Sequence, residues 1–72
     1  MQKKELATKI GFNIRKIRKA RNWTIKALAF GADIEYTQVS RIERGKINTS
    51  VYQLYIISRA LEINIPVLFD GI

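Results

Sequence analysis

The stretch from Thr24 to Lys46, TIKALAFGADIEYTQVSRIERGK, constrains the fold of this chain more than any other part. Apolar residues recur in it at helical spacing in two short runs, and a Gly-Ala-Asp sequence separates the runs. The stretch therefore predicts two short helices joined by a tight turn. Thr24 is the expected N-cap of the first, and Gly31 with Asp33 is expected to end it.

The second of these helices is predicted to run from Glu35 to Arg44 and to end at Gly45, a residue type favoured just after a helix. When residues are placed about 100° apart around the helix axis, Val39 and Ile42 point inward together. The opposite side, called the outward face below, is polar and cationic and consists of Thr37, Ser40, Arg41 and Arg44, with Tyr36 at its edge. A helix divided in this way can present side chains to the edges of DNA bases.

The rest of the chain is also predicted to be helical, because apolar residues recur at helical spacing and strand signals are weak. One helix is predicted over residues 4–21 and another over residues 50–61. A final turn or two is predicted over 64–69, where Asn64 can serve as the cap and Pro66 fits because it falls in the first turn. We expect an all-α fold in a single domain, residues 1–72.

The charge of the chain is strongly positive, with a formal net charge of +7 and an isoelectric point near 10.2. Lysine and arginine crowd the segment from Lys3 to Lys26, where only Glu5 opposes them. Such a surplus speeds encounter with polyanions. Net charge alone fits an ordinary solvated surface equally well, so it becomes informative only beside the outward face.

Several functions are disfavoured by the composition. The chain has no cysteine and no histidine, and its six carboxylates form no paired motif, so we expect no catalysis, no metal and no cofactor. The N-terminus, MQKKELATKI, lacks the apolar region of a signal peptide, and no apolar run approaches a membrane span. We therefore expect a cytoplasmic, nucleoid-associated protein with no membrane partner. We also expect no small-molecule effector, because a domain of 72 residues leaves no room for an effector pocket.

Three pieces of the chain, in order and correctly spaced, resemble the phage-repressor and Cro-type helix-turn-helix family, the xenobiotic-response-element family of bacterial regulators. They are GFNIRKIRKARNWTIKALA, VSRIERGK and NTSVYQLYIISRALEINIPVLF, which together cover about residues 11–69. The resemblance implies a compact five-helix bundle of the lambda-repressor-like type. In that fold the second and third helices form the helix-turn-helix, and the third enters the DNA major groove.

The resemblance also implies how individual residues would contact DNA. The implied base readers are Tyr36, Thr37, Ser40 and Arg41, of which Arg41 can donate two hydrogen bonds to a guanine. The implied phosphate contacts are Thr24, Lys26, Gln38, Arg44, Lys46 and Asn48. For Gln38, at the flank of the outward face, three roles stay open: contact with an adenine, contact with a phosphate, and cover for the core.

A structural role is implied for two charged residues. In the family, the positions of Arg18 and Glu43 form an internal ion pair that holds the first helix against the third. Four positions depart from the family pattern, one of which is Thr49, where a proline is frequent. Ile25 stands where a phosphate-binding glutamine is usual, Glu35 stands where serine or threonine is common, and Asp33 replaces the turn glycine.

The C-terminal tail is unusually apolar, and family members usually dimerise on inverted repeats. The candidates for a symmetric dimer contact are Ile63, Ile65, Val67 and Ile72. We expect a homodimeric, sequence-specific binder of double-stranded DNA, most simply a repressor at an inverted-repeat operator. The alternatives are a transcriptional activator or controller protein, a protein-interaction module such as an antitoxin or adaptor, and a non-specific nucleic-acid or membrane-surface binder.

Overall fold

The computed structural model describes residues 2–47 and 49–72. Its elements are α1 (Lys3–Ala20), α2 (Ile25–Ala32), α3 (Tyr36–Glu43), α4 (Val51–Ala60) and a 3-10 helix, η1 (Ile65–Phe69). The described residues contain no strand, so the all-α fold is confirmed.

The expectation of five α-helices is wrong, because the last element is a 3-10 helix. Pro66 falls in its first turn and has no amide hydrogen to donate. A segment this short settles into 3-10 geometry, which is used in brief pieces. The cap expected from Asn64 is also not formed, since its side chain makes no capping hydrogen bond.

Two of the helices begin at hydroxyl caps. The Thr24 hydroxyl oxygen accepts from the amide of Ala27 at 3.0 Å, and the Ser50 hydroxyl oxygen accepts from the amide of Gln53 at 3.0 Å. Each cap satisfies one of the free amides in a first helical turn. The side-chain oxygen of Gln53 accepts a further hydrogen bond from the hydroxyl of Thr49 at 2.8 Å.

All four α-helices end with a residue in the left-handed region. These residues are Asn22, Asp33, Gly45 and Glu62, with φ between 56° and 68°. At the end of α3, the Gly45 amide donates to the Ile42 carbonyl at 3.1 Å and the Lys46 amide donates to the Arg41 carbonyl at 2.9 Å. This pair of bonds is the Schellman motif, and it fixes the direction in which the chain leaves α3.

The core is built from side chains of every element. Its buried apolar members are Ile10, Ile14, Leu28, Ala29, Ala32, Val39, Ile42, Leu54, Ile57, Leu61 and Leu68. Val39 and Ile42 are 0% and 2% exposed, so the predicted inward side of α3 is confirmed. Burial of α3 against α1 and α2 sets which of its side chains remain in solvent.

The C-terminal segment is tied to α1 by one buried amide. Asn13 Nδ2 donates to the carbonyl oxygens of Leu68 and Asp70, each at 2.9 Å. Together with the fully buried Leu68 side chain, these bonds hold η1 against the first helix. None of the described helices is long and apolar enough to span a membrane.

Candidate DNA-binding surface

The outward face of α3 is solvent-accessible along the length of the helix. Tyr36 is 56% exposed, Thr37, Arg41 and Arg44 are also exposed, and Ser40 is half-buried. Because the opposite side of the helix is fully packed, these side chains cannot turn inward. The four residues expected to read bases, Tyr36, Thr37, Ser40 and Arg41, are therefore brought together on one accessible helix face.

The first turn of α3 has no side-chain cap. Glu35 occupies the N-cap position with extended backbone, yet its carboxylate makes no capping hydrogen bond. The side chain is exposed, so a negative charge stands at the end of α3 that would enter a groove. A carboxylate here suits the helix dipole and repels any phosphate placed close to it.

Gln38 lies apart from the rest of the expected contact set. It is half-buried and lines a shallow groove between the starts of α3 and α4, together with Ile34, Glu35, Ser50 and Gln53. Its position is at the α4 side of the outward face.

A second group of expected contacts lies at the start of α2. The Thr24 hydroxyl accepts the capping bond described above and keeps its own hydrogen free to donate. Lys26 is exposed, whereas Ile25 is half-buried and packs against the core. At the position where the family usually has a phosphate-binding glutamine, this chain therefore has an isoleucine that contacts the core.

A third group lies in the turn after α3. Arg44 and Lys46 are exposed, and Arg44 Nε donates to the Ser40 carbonyl at 3.3 Å. Gly45 has φ of 68°, and a Cβ on it would lie 2.8 Å from the Thr8 Cα. The left-handed backbone favours glycine here, and the close contact with α1 leaves no room for a Cβ. Asn48 lies outside the described residues.

A buried ion pair joins these parts. Arg18 Nε lies 2.7 Å from Glu43 Oε2, and Arg18 Nη2 lies 3.0 Å from Glu43 Oε1, a two-point geometry. A third nitrogen, Nη1, donates to the Trp23 carbonyl at 2.6 Å. One guanidinium on α1 therefore holds both the end of α3 and the residue just before the α2 cap.

Sequence reasoning missed the role of Gly11. It is buried in the middle of α1, and a Cβ there would overlap the carbonyl oxygens of Ile42 and Glu43. Glycine inside a helix costs about 1 kcal/mol relative to alanine, so its presence within α1 could have indicated a close backbone approach. Here it lets α1 contact the backbone of α3 directly.

The four candidate dimer residues are not equally accessible. Val67 and Ile72 are 42% and 45% exposed. Ile63 and Ile65 are half-buried, and Ile63 packs partly against the core. Only part of this set is thus fully available for a contact with a second copy.

These features define a helix-turn-helix protein, in which α2 and α3 are joined by the turn at Asp33. The helix-turn-helix family model HTH_3 matches residues 14–68. The chain belongs to this family of DNA-binding transcriptional regulators, which confirms the resemblance seen in the sequence.

Solved structures of relatives agree. The chain is 30% identical to the restriction-modification controller protein C.AhdI from Aeromonas hydrophila, with a TM-score of 0.86 over 88% of this chain and 96% of that one. It is 34% identical to the controller protein C.Esp1396I, with a TM-score of 0.83 over 90% of this chain and 83% of that one. An HTH_3 family regulator from Vibrio cholerae shares the fold at 22% identity, with a TM-score of 0.91 over 94% of this chain and 38% of that one. No curated protein matches the chain.

Proposed function

We propose that this protein is a sequence-specific regulator that binds double-stranded DNA by placing α3 in the major groove. The observation that supports this most directly is the exposed, polar and cationic face of α3 above the buried Val39 and Ile42. That face is held in place from α1 by the Arg18–Glu43 pair. A rigid helix with hydrogen-bonding side chains on one side is what direct readout of base edges requires.

The residues around this face divide into two roles. Arg41 donates two hydrogen bonds to a guanine, while Tyr36 and Thr37 combine hydroxyl contacts with apolar contact to a thymine methyl group. Ser40 completes the set of base readers. Phosphate contacts from Thr24, Lys26, Arg44, Lys46 and Asn48, with Gln38 at the flank, fix the register and supply the salt-dependent part of the affinity.

The functional unit in this proposal is a homodimer on an inverted-repeat operator, because one recognition helix contacts too few base pairs to define a unique locus. One structure of the 34%-identical C.Esp1396I is a tetramer in complex with its 35 base-pair operator, which supports binding by several copies. In this chain the contact between copies uses Ile63, Ile65, Val67 and Ile72. The protein acts in the cytoplasm, as a repressor that occludes a promoter, with no catalytic step and no small-molecule effector.

A second candidate is a restriction-modification controller protein that regulates transcription in such a system. The observation in its favour is that two proteins of this kind match at 30% and 34% identity over most of both chains. Both candidates use the proposed DNA-binding surface, so the same DNA experiments apply to both.

Selection of bound sequences from a random duplex pool tests the proposal. We expect an inverted repeat whose half-sites lie about one helical turn apart. We also expect affinity for the recovered motif at least about 1,000-fold above that for random DNA at physiological salt. A pool without a shared motif would contradict specific binding and favour the protein-interaction module. A reporter transcript that falls when the protein is supplied supports repression, and one that rises supports activation.

A further inference from the structure

One side of α1 contains five residues in a single line along the helix. Lys4, Thr8, Gly11, Arg15 and Arg18 follow one another at spacings of four, three, four and three residues. Residues three and four apart lie above one another on the same helix face. This line of residues is called the α1 stripe below.

Three members of the stripe contact the end of α3 or the turn after it. Gly11 packs on the carbonyl groups at the end of α3, and Thr8 packs against Gly45. Arg18 pairs with Glu43. The stripe therefore runs along the boundary between α1 and the C-terminal end of α3, beside the turn that contains the expected phosphate contact Lys46.

The two other members, Lys4 and Arg15, are exposed cations on this boundary. The ion pairs formed by the described residues are Arg18–Glu43 and Arg21–Glu62, so neither Lys4 nor Arg15 is neutralised by a carboxylate there. Glu5 lies about 100° away from Lys4 around the helix axis. Lys4 and Arg15 thus add to the positive potential beside Lys46.

We infer that Lys4 and Arg15 contact DNA phosphates, so that the contacts with the DNA backbone extend from the turn after α3 onto α1. This inference rests on the proposed function, because it assumes that α3 faces DNA. The two residues are eleven positions apart, about 16 Å along an α-helix, and therefore contact phosphates well separated along the duplex. As phosphate contacts they contribute affinity and salt dependence without reading bases.

Lys9 and Lys16 on the same helix provide a matched control. Both are exposed lysines of α1, and they lie about 120° around the helix from Lys4 and Arg15, away from α3. The double variants K4Q/R15Q and K9Q/K16Q remove the same amount of charge. A difference between them therefore measures where the charge lies, while overall net charge is held equal.

The experiment measures dissociation constants over a salt series, on the selected operator and on random duplex DNA, for wild type and both double variants. Each phosphate contact contributes about 0.9 to the slope of log affinity against log salt. We expect K4Q/R15Q to reduce this slope by about two units and to weaken binding on the order of tenfold or more at ~0.1 M salt. The operator-to-random ratio should stay unchanged. The control should alter the slope by less than about half a unit, and thermal melting by circular dichroism should match wild type for both.

Equal slope changes in the two double variants, or no change in K4Q/R15Q, would overturn the inference. Failure of the proposed function has a different result, because wild type would then bind operator and random DNA equally. In that case the salt slopes measured on random duplex DNA still show whether Lys4 and Arg15 contact phosphates.

Discussion

The helix-turn-helix, residues 24–47, and the C-terminal tail, residues 61–72, differ in the chemical character of their exposed side chains. In the helix-turn-helix, the exposed side chains are mostly polar or charged and lie opposite a packed apolar side. In the tail, Val67, Phe69 and Ile72 are apolar and still more than a third exposed. A surface for a polyanion can be identified from one chain, because the charge is visible there. A surface for contact with a second copy must be identified instead from the apolar side chains that the fold of one chain leaves exposed.

The two regions are also held differently. The helix-turn-helix is fixed by the buried Arg18–Glu43 pair and by close backbone contacts at Gly11 and Gly45. The tail depends on the Leu68 side chain and on the Asn13 amide. Variants that change one of these two regions at a time test whether DNA contact and self-association depend on different parts of the molecule.

The largest effect is expected from Arg18→Ala. The change leaves the buried carboxylate of Glu43 without a partner, which costs about 3–5 kcal/mol of folding free energy. Denaturant unfolding followed by circular dichroism measures this loss. The double variant R18M/E43L should recover most of the stability, because no unpaired charge then remains buried. Equal loss in both variants would show that packing, rather than the charge, explains the effect.

Arg41→Ala should weaken operator binding by about 1–3 kcal/mol and relax the preference at one base position in each half-site. The reason is that the proposed pair of hydrogen bonds to a guanine is removed, while the fold is untouched because Arg41 is exposed. Repeating the selection with the variant measures the preference. A motif that keeps full preference at every position would contradict the assignment of Arg41 as a base reader.

Val67→Asp tests the tail. A carboxylate placed in an apolar contact between copies should raise the dimer dissociation constant at least tenfold, or about 1.4 kcal/mol, as measured by sedimentation equilibrium. Val51→Asp is the matched control, because Val51 is also an exposed valine, at 77%, but lies at the start of α4. If both variants dimerise like wild type, Val67 is not in the contact.

Lys46→Ala should reduce the affinity for all DNA sequences alike and lower the salt slope by about one unit. Lys46 follows the glycine that ends α3, so its backbone position is fixed while its side chain is free in solvent. A salt series on operator and random DNA measures both quantities. Loss of affinity for the operator alone would make Lys46 a base reader and contradict its assignment to phosphate.

Local rules predicted much of the helix-turn-helix. The hydroxyl cap at Thr24, the left-handed end at Gly45, and the inward direction of Val39 and Ile42 each depend on residues close in sequence. These rules gave the helix boundaries within a residue or two, and the same helical wheel defined the outward face.

Long-range contacts could not be predicted in this way. Nothing near Asn13 in the sequence indicates that its amide meets carbonyls of the tail. The approach of α3 to Gly11 depends on how two helices cross. The 3-10 geometry of η1 follows from the shortness of the segment and from Pro66, and the spacing of apolar residues does not distinguish it from an α-helix.

The smallest effect is expected at the end of α4, where Glu62 has the same left-handed conformation that Gly45 has at the end of α3. A non-glycine residue in this conformation costs about 1–2 kcal/mol, part of which is offset because glycine gains more entropy in the unfolded chain. Glu62→Gly should therefore stabilise the fold by roughly 0.5–1 kcal/mol, measured by denaturant unfolding. Glu62→Gln separates the backbone effect from the exposed pair with Arg21, which spans 3.4 Å and contributes little. If Glu62→Gln stabilises as much as Glu62→Gly, charge rather than backbone conformation limits this turn. If only glycine does so, the second residue of the tail is strained, whereas the turn beside the outward face of α3 avoids this strain because it contains glycine.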